Sequence, residues 1–155
     1  MSEHLVLRSA IVAKLRTVAG ISSVHAFERN AKNDAGFREL YAAGDSVVGW
    51  HVRRVARRES SVDNEVFTDW EIRGFLGIED ASETELQFDT LLDGICDAWR
   101  ADPTLGGAVL YPRGDAMSVP AISDAGPVLF AGVLCHSVRM KLTTRHVLDA
   151  GRPWD

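Results

Sequence analysis

The sequence predicts an α+β fold, a mainly antiparallel β-sheet with helices packed on one face. Three observations predict it. Two stretches with helical spacing of apolar residues flank a central pair of segments, one rich in valine and tryptophan and the other alternating apolar with polar. Strand and helix do not alternate regularly, as a doubly wound parallel sheet requires. Finally, 155 residues that are 46% hydrophobic are enough for one sizeable core, whereas two domains would each be marginal. The expected division is a single domain over 1–144 and a C-terminal extension over 145–155.

The first helix is expected over about 3–18, capped by Ser2, with Leu7, Ile11, Leu15 and Val18 on one face and Gly20 ending the run. "SSVHAFERN" reads as a short strand. In "AKNDAGFRELYAAGD", Ala31 to Asp45, Asp34 is expected to cap a small helix closed by Gly44. Ser46 to Arg58 and Val66 to Ile78 form a hairpin, with Val66, Thr68, Trp70 and Ile72 on one face of its second strand and Asp69, Glu71 and Arg73 on the other. Cross-strand pairing brings those acidic side chains near His51 and Arg53, at roughly 0.2 to 1 kcal/mol per pair.

Ser82 and Glu85 suggest a capping box that opens the strongest helix, with Phe88, Leu91, Leu92, Ile95 and Trp99 along one face and Asp102-Pro103 as its stop. Short strands are expected around Val109 to Tyr111 and Ser118 to Ile122, and a last strand over Val128 to Thr144. On that strand Leu134, His136, Val138, Met140 and Leu142 share the apolar face. The tail "HVLDAGRPWD" reads as a mobile extension, in which Trp154 is a candidate interface anchor.

A net charge of −5 opposes whole-surface attraction to nucleic acid, because such binding needs many cations to displace condensed counterions. Yet "VVGWHVRRVARRESS" concentrates Arg53, Arg54, Arg57 and Arg58 in one segment. Opposing it in sign, Glu85, Asp89, Asp93 and Asp97 recur every four residues on the long helix, each step advancing about 40°. That drifting stripe does not converge on one ion, so no metal is expected, and like charges at this spacing cost roughly 0.2 to 0.5 kcal/mol per pair. Only Arg100 stands near enough to relieve them. The two charged groups, if exposed on opposite sides, would pair between copies, and a head-to-tail contact that closes makes a ring.

Two cysteines, Cys96 and Cys135, without a CxxC or Cys/His cluster, indicate neither a disulfide framework nor a zinc site, and suit a reducing cytoplasm. Arg8, Lys14 and Arg16 interrupt any signal-peptide core, and no segment approaches the roughly 18 to 20 apolar residues of a membrane span. Neither phosphate-binding glycine loops nor nucleophile-elbow or HExxH motifs occur. Cys135-His136 places a thiol beside an imidazole, but neighbours on a strand point to opposite faces. "RGD" at Arg113 to Asp115 reads as a turn. No catalytic residue and no cofactor are expected.

The order of elements, together with "FDTLLDGICDAWRADPTLGG" and "LCHSVRMKL", resembles the small tail-completion proteins of long-tailed bacteriophages and prophages, the tail terminator or minor tail type. "VAGISSVHAFER", "VVGWHVRRV" and "FTDWEIRGFLG" extend the likeness over most of the chain. The resemblance implies a non-enzymatic α+β subunit of a hexameric ring, monomeric in isolation in some cases, that caps the tail tube and supplies the surface for head-neck connector proteins. It also implies a place in the virion tail, reached from the host bacterial cytoplasm, with DNA passing transiently through the lumen. Under this reading the arginines and carboxylates above, with Trp154, are subunit or tail contacts. One rival is a nucleic-acid-binding module using the Arg53–Arg58 strand with Trp50 and Trp70 as stacking platforms. A small enzyme of unknown reaction is the other.

Overall fold

The structure, a computed structural model, describes residues 2–43, 46–60, 64–111 and 119–148. Its elements run α1 (Glu3–Arg16), β1 (Val24–His25), α2 (Asp34–Leu40), β2 (Ala42–Ala43), β3 (Ser46–Glu59), β4 (Glu65–Gly77), α3 (Thr84–Ala101), β5 (Ala121–Phe130) and β6 (Val133–Val147). The strands form a sheet in the order β1-β3-β4-β6-β5, with β2 paired to the start of β3. β1 runs parallel to β3 and every other pairing is antiparallel. The fold is α+β, as the sequence predicts.

Period-two alternation in the three long strands produces the main core. Trp50 and Val52, Trp70 and Ile72, and Val138, Met140 and Leu142 are buried from one sheet face. α1 covers them with Leu7, Ile11 and Leu15, and α3 with Phe88, Leu92, Ile95 and Trp99. Full burial of each such side chain stabilises by roughly 1.5 to 3 kcal/mol. Gly74 stands directly opposite Trp50, and a Cβ there would collide with the indole ring. The glycine leaves room for the indole within the sheet face.

The other face carries a smaller apolar cluster of Tyr41, Val47, Phe75 and Cys135. α2 roofs one end of it, with Phe37 edge-on to Phe130 and Tyr41 edge-on to Phe75 and Phe130. α2 therefore lies apart from α1 and α3, which cover the main core. The cap of α2 is Asn33, whose Oδ1 accepts the Gly36 N–H at 2.8 Å, and not the expected Asp34. Away from this roof the second face meets solvent, with Arg53, Arg58, Arg139 and Lys141 exposed.

Several local expectations are corrected. The last strand is two strands, β5 and β6, joined by a tight turn in which Ala131 (φ 54°) and Gly132 (φ 74°) both adopt positive φ, as a type I′ hairpin requires. β6 also continues past Thr144 to Val147. Arg145 is ion-paired to Glu65 at 2.7 Å and His146 lies 2.9 Å from Glu3, so the start of the supposed extension belongs to the sheet. Residues 110–111 form no strand, although the Leu110 N–H donates to the Arg145 carbonyl at 2.8 Å. The Ser82–Glu85 capping box does not form. A 3-10 turn over Asp80–Ser82 and a left-handed Glu83 precede α3, and the Thr84 hydroxyl accepts the Glu79 N–H at 2.9 Å.

β5 is an edge strand blunted against further pairing. Counting back from the closing Phe130–Val133 pair, Pro127 falls opposite His136 at a non-hydrogen-bonded position. The N–H that proline lacks would have pointed outward, toward any incoming strand.

Candidate functional site

The arginine segment lies along β3, where a bulge at Val55 divides it. Arg54 stands opposite Trp70 and Ala56 opposite Asp69, so one extra residue shifts the alternation. Arg54 and Arg57 consequently point to the face covered by α1 and α3, while Arg53 and Arg58 point to the open face. Three of the four meet carboxylates of their own chain. Arg57 binds Glu3 of α1 at 2.6 Å and Glu59 at 3.0 Å, Arg58 binds Asp69 at 2.9 Å, and Arg53 lies 3.8 Å from Glu28. The expected cross-strand neighbour of Arg53 is present, since Glu71 stands directly opposite it. Arg54 forms no ion pair among the described residues. It lies near Arg8, whose guanidinium donates to the Ala26 carbonyl at 2.6 Å and sits 5.5 Å over the Trp70 ring. Burial, and then Arg54, hold the Arg8 guanidinium below its usual pKa.

Glu85, Asp89, Asp93 and Asp97 are all exposed on the solvent side of α3. Asp97 pairs with Arg100 one turn on, and among the described residues the other three make no ion pair. This stripe and the open sheet face are the two outer surfaces of the sandwich. No side chain of one can reach the other within a subunit.

A third group is one that the sequence did not single out as a site. His51, Arg73 and Arg139 stand side by side across β3, β4 and β6. His51 is 2% exposed, and burial foremost pushes its imidazole down to about 4, which keeps it neutral. The Arg29 N–H donates to the Tyr41 oxygen at 3.4 Å, and that oxygen shares a hydrogen bond with His51 Nδ1 at 3.0 Å. Among the described residues, His51 Nε2 and Arg73 Nε are both buried without a hydrogen-bond partner. The alternation of β4 alone contained the signal, because Arg73 precedes Gly74 and so faces away from the main core.

Cys135 and His136 lie on opposite faces of β6. Cys135 belongs to the Tyr41 cluster, and burial pushes its thiol up to about 11, far from a ready nucleophile. His136 faces α3, with Nε2 2.8 Å from the Thr84 hydroxyl and its ring stacked on Phe88. A shallow cavity of about 190 Å³ beside it is lined by Ile78, Glu83, Thr84, Glu85, Leu86 and His136. Among the described residues no cluster of His, Cys, Asp or Glu is placed to hold a metal ion, and no helix is long and apolar enough to cross a membrane. Trp50 and Trp70 are 0% exposed, so neither offers a ring for a base to stack on. Trp154 and the Arg113–Asp115 turn lie outside the described residues.

No protein-family model and no curated protein matches this chain.

Proposed function

We propose that this chain is a ring-forming subunit that caps a bacteriophage tail tube and presents the docking surface for the head or neck, with no catalytic role. The observation that carries the reading is the exposed acidic face of α3, where Glu85, Asp89 and Asp93 make no ion pair among the described residues. Such a stripe costs a lone subunit some stability and gains a partner's cations on assembly. Its position on one outer surface of a two-layer sandwich, with a charged sheet face on the other, suits a head-to-tail contact. The likeness of "FDTLLDGICDAWRADPTLGG" and "LCHSVRMKL" to tail-completion proteins supplies the identity of the assembly. Light scattering across protein concentration, with electron microscopy of mixtures with tail tubes, tests the reading. Rings seated on tube ends are expected. A persistent monomer that leaves every tube end bare overturns it.

A further inference from the structure

We propose that the open sheet face at Arg73 and Arg139 receives the acidic face of α3, at Asp89 and Asp93, from a second copy of this chain. This rests on the ring reading above and names the contact that builds the ring.

The basic side of the contact is prepared for an oxyanion. Arg73 and Arg139 are direct cross-strand partners, an arrangement that costs free energy between like charges unless an anion joins them. Neither forms an ion pair among the described residues. Glu71 and Asp124 are nearby on the same face, Asp124 directly opposite Arg139, but neither closes on the pair. The Arg73 guanidinium is held 4.9 Å over the Phe75 ring, half-buried, and among the described residues neither its Nε nor Nε2 of its cross-strand neighbour His51 has a partner. Part of its desolvation and ordering is thus complete before any partner arrives, unlike that of a free surface lysine. A carboxylate completes such a fork with two parallel N–H···O bonds.

The second copy is the favoured occupant because its chemistry is already on this molecule. Asp89 and Asp93 stand one turn apart, exposed and without an ion pair among the described residues, on the opposite outer surface from Arg73 and Arg139. Opposite signs on opposite surfaces produce a heterologous contact, the kind that closes into rings. The β3 arginines are less suited, since Arg53, Arg57 and Arg58 have partners at home and Arg54 points to the helix-covered face, not the open one. Edge pairing through β5 is blocked by Pro127.

A charge swap tests this. Arg73→Glu/Arg139→Glu and Asp89→Lys/Asp93→Lys are each expected to weaken self-association about a hundredfold, since like charges facing across an interface cost several kcal/mol. Mixing the two variants restores both kinds of contact and is expected to recover association to near the wild-type concentration dependence. If Arg73→Glu disturbs the fold by circular dichroism, the exposed Arg139→Glu replaces the double variant. Association indifferent to both reversals, or a mixture no better than its components, overturns the contact while leaving tube capping to stand. Recovery in the mixture with tube ends still bare upholds the contact and overturns the capping function. Binding of duplex DNA by the wild type that Arg139→Glu abolishes would give the row a phosphodiester occupant, and also overturns it.

Discussion

Trp70 Nε1 donates to the Thr144 hydroxyl at 2.9 Å, joining two fully enclosed side chains across β4 and β6. The bond gives the indole N–H an acceptor inside an apolar layer, where an unpaired donor would be costly. Thr144→Val keeps the shape and removes the acceptor, so it is expected to destabilise by about 1 to 3 kcal/mol. Thr144→Ser retains the acceptor and is expected to lose less. Urea unfolding of both variants checks the order, and equal losses would show that packing and not the bond dominates.

The apolar face of α3 supplies a second contrast. Ile95 is 0% exposed between α3 and the sheet, and Ile95→Ala is expected to cost roughly 2 to 5 kcal/mol. Leu134 shares the predicted face of its strand but lies beyond the cover of α3, 54% exposed. Leu134→Ala is therefore expected within about 0.5 kcal/mol of the parent in the same assay.

Two groups make stability fall in acid over different ranges. His51 titrates near 4 when folded and near its ordinary value of about 6.5 when unfolded, so between these the unfolded chain binds the extra proton and stability drops as pH falls. The full effect is roughly 3 kcal/mol, and His51→Gln is expected to flatten the slope across that window. Burial raises the Glu3 carboxyl, but bonds from Arg57 and His146 outweigh it and hold the group below its usual value. Its contribution is complete above about pH 4.3 and is lost as pH falls through the lowered folded value. Glu3→Gln should therefore lower stability by a constant amount above that pH and flatten the slope only below it, and urea midpoints measured across pH separate the two.

Much of this architecture is legible in the chain. Phe88, Leu92, Ile95 and Trp99 announce α3 because one wide apolar stripe has no other use, and Trp70 and Ile72 announce β4 by strict alternation. The β5–β6 hairpin is hidden because its turn is Ala131-Gly132, without the asparagine or aspartate that usually marks a type I′ turn, and because Gly126-Pro127 interrupts the strand pattern. The acidic stripe could be read from spacing alone. The fate of the arginines could not, since a single bulged residue decides which face each one takes and α1 supplies Glu3 from far away in sequence. Arg73 and Arg139 become a pair only through the β4–β6 register.

The arginine segment yields the last prediction, in which chemically identical reversals have opposite effects on the fold. Arg57→Glu sets a carboxylate against Glu3 and Glu59 and removes the donor that binds both. Arg57 has its guanidinium pKa raised, first by the bond to Glu3, which marks a charge the folded state favours. The site is partly exposed, and solvent screening limits the loss to about 1 kcal/mol or somewhat more. Arg54 has no carboxylate within ion-pair reach among the described residues, and it repels the Arg8 guanidinium. Arg54→Glu replaces a repulsion with an attraction, so it is expected to be neutral or to stabilise by a few tenths of a kcal/mol. Added salt should shrink both effects. Thermal unfolding of the two variants at low and high salt measures this, and an Arg54→Glu loss as large as that of Arg57→Glu would refute the division of the segment between paired and unpaired arginines.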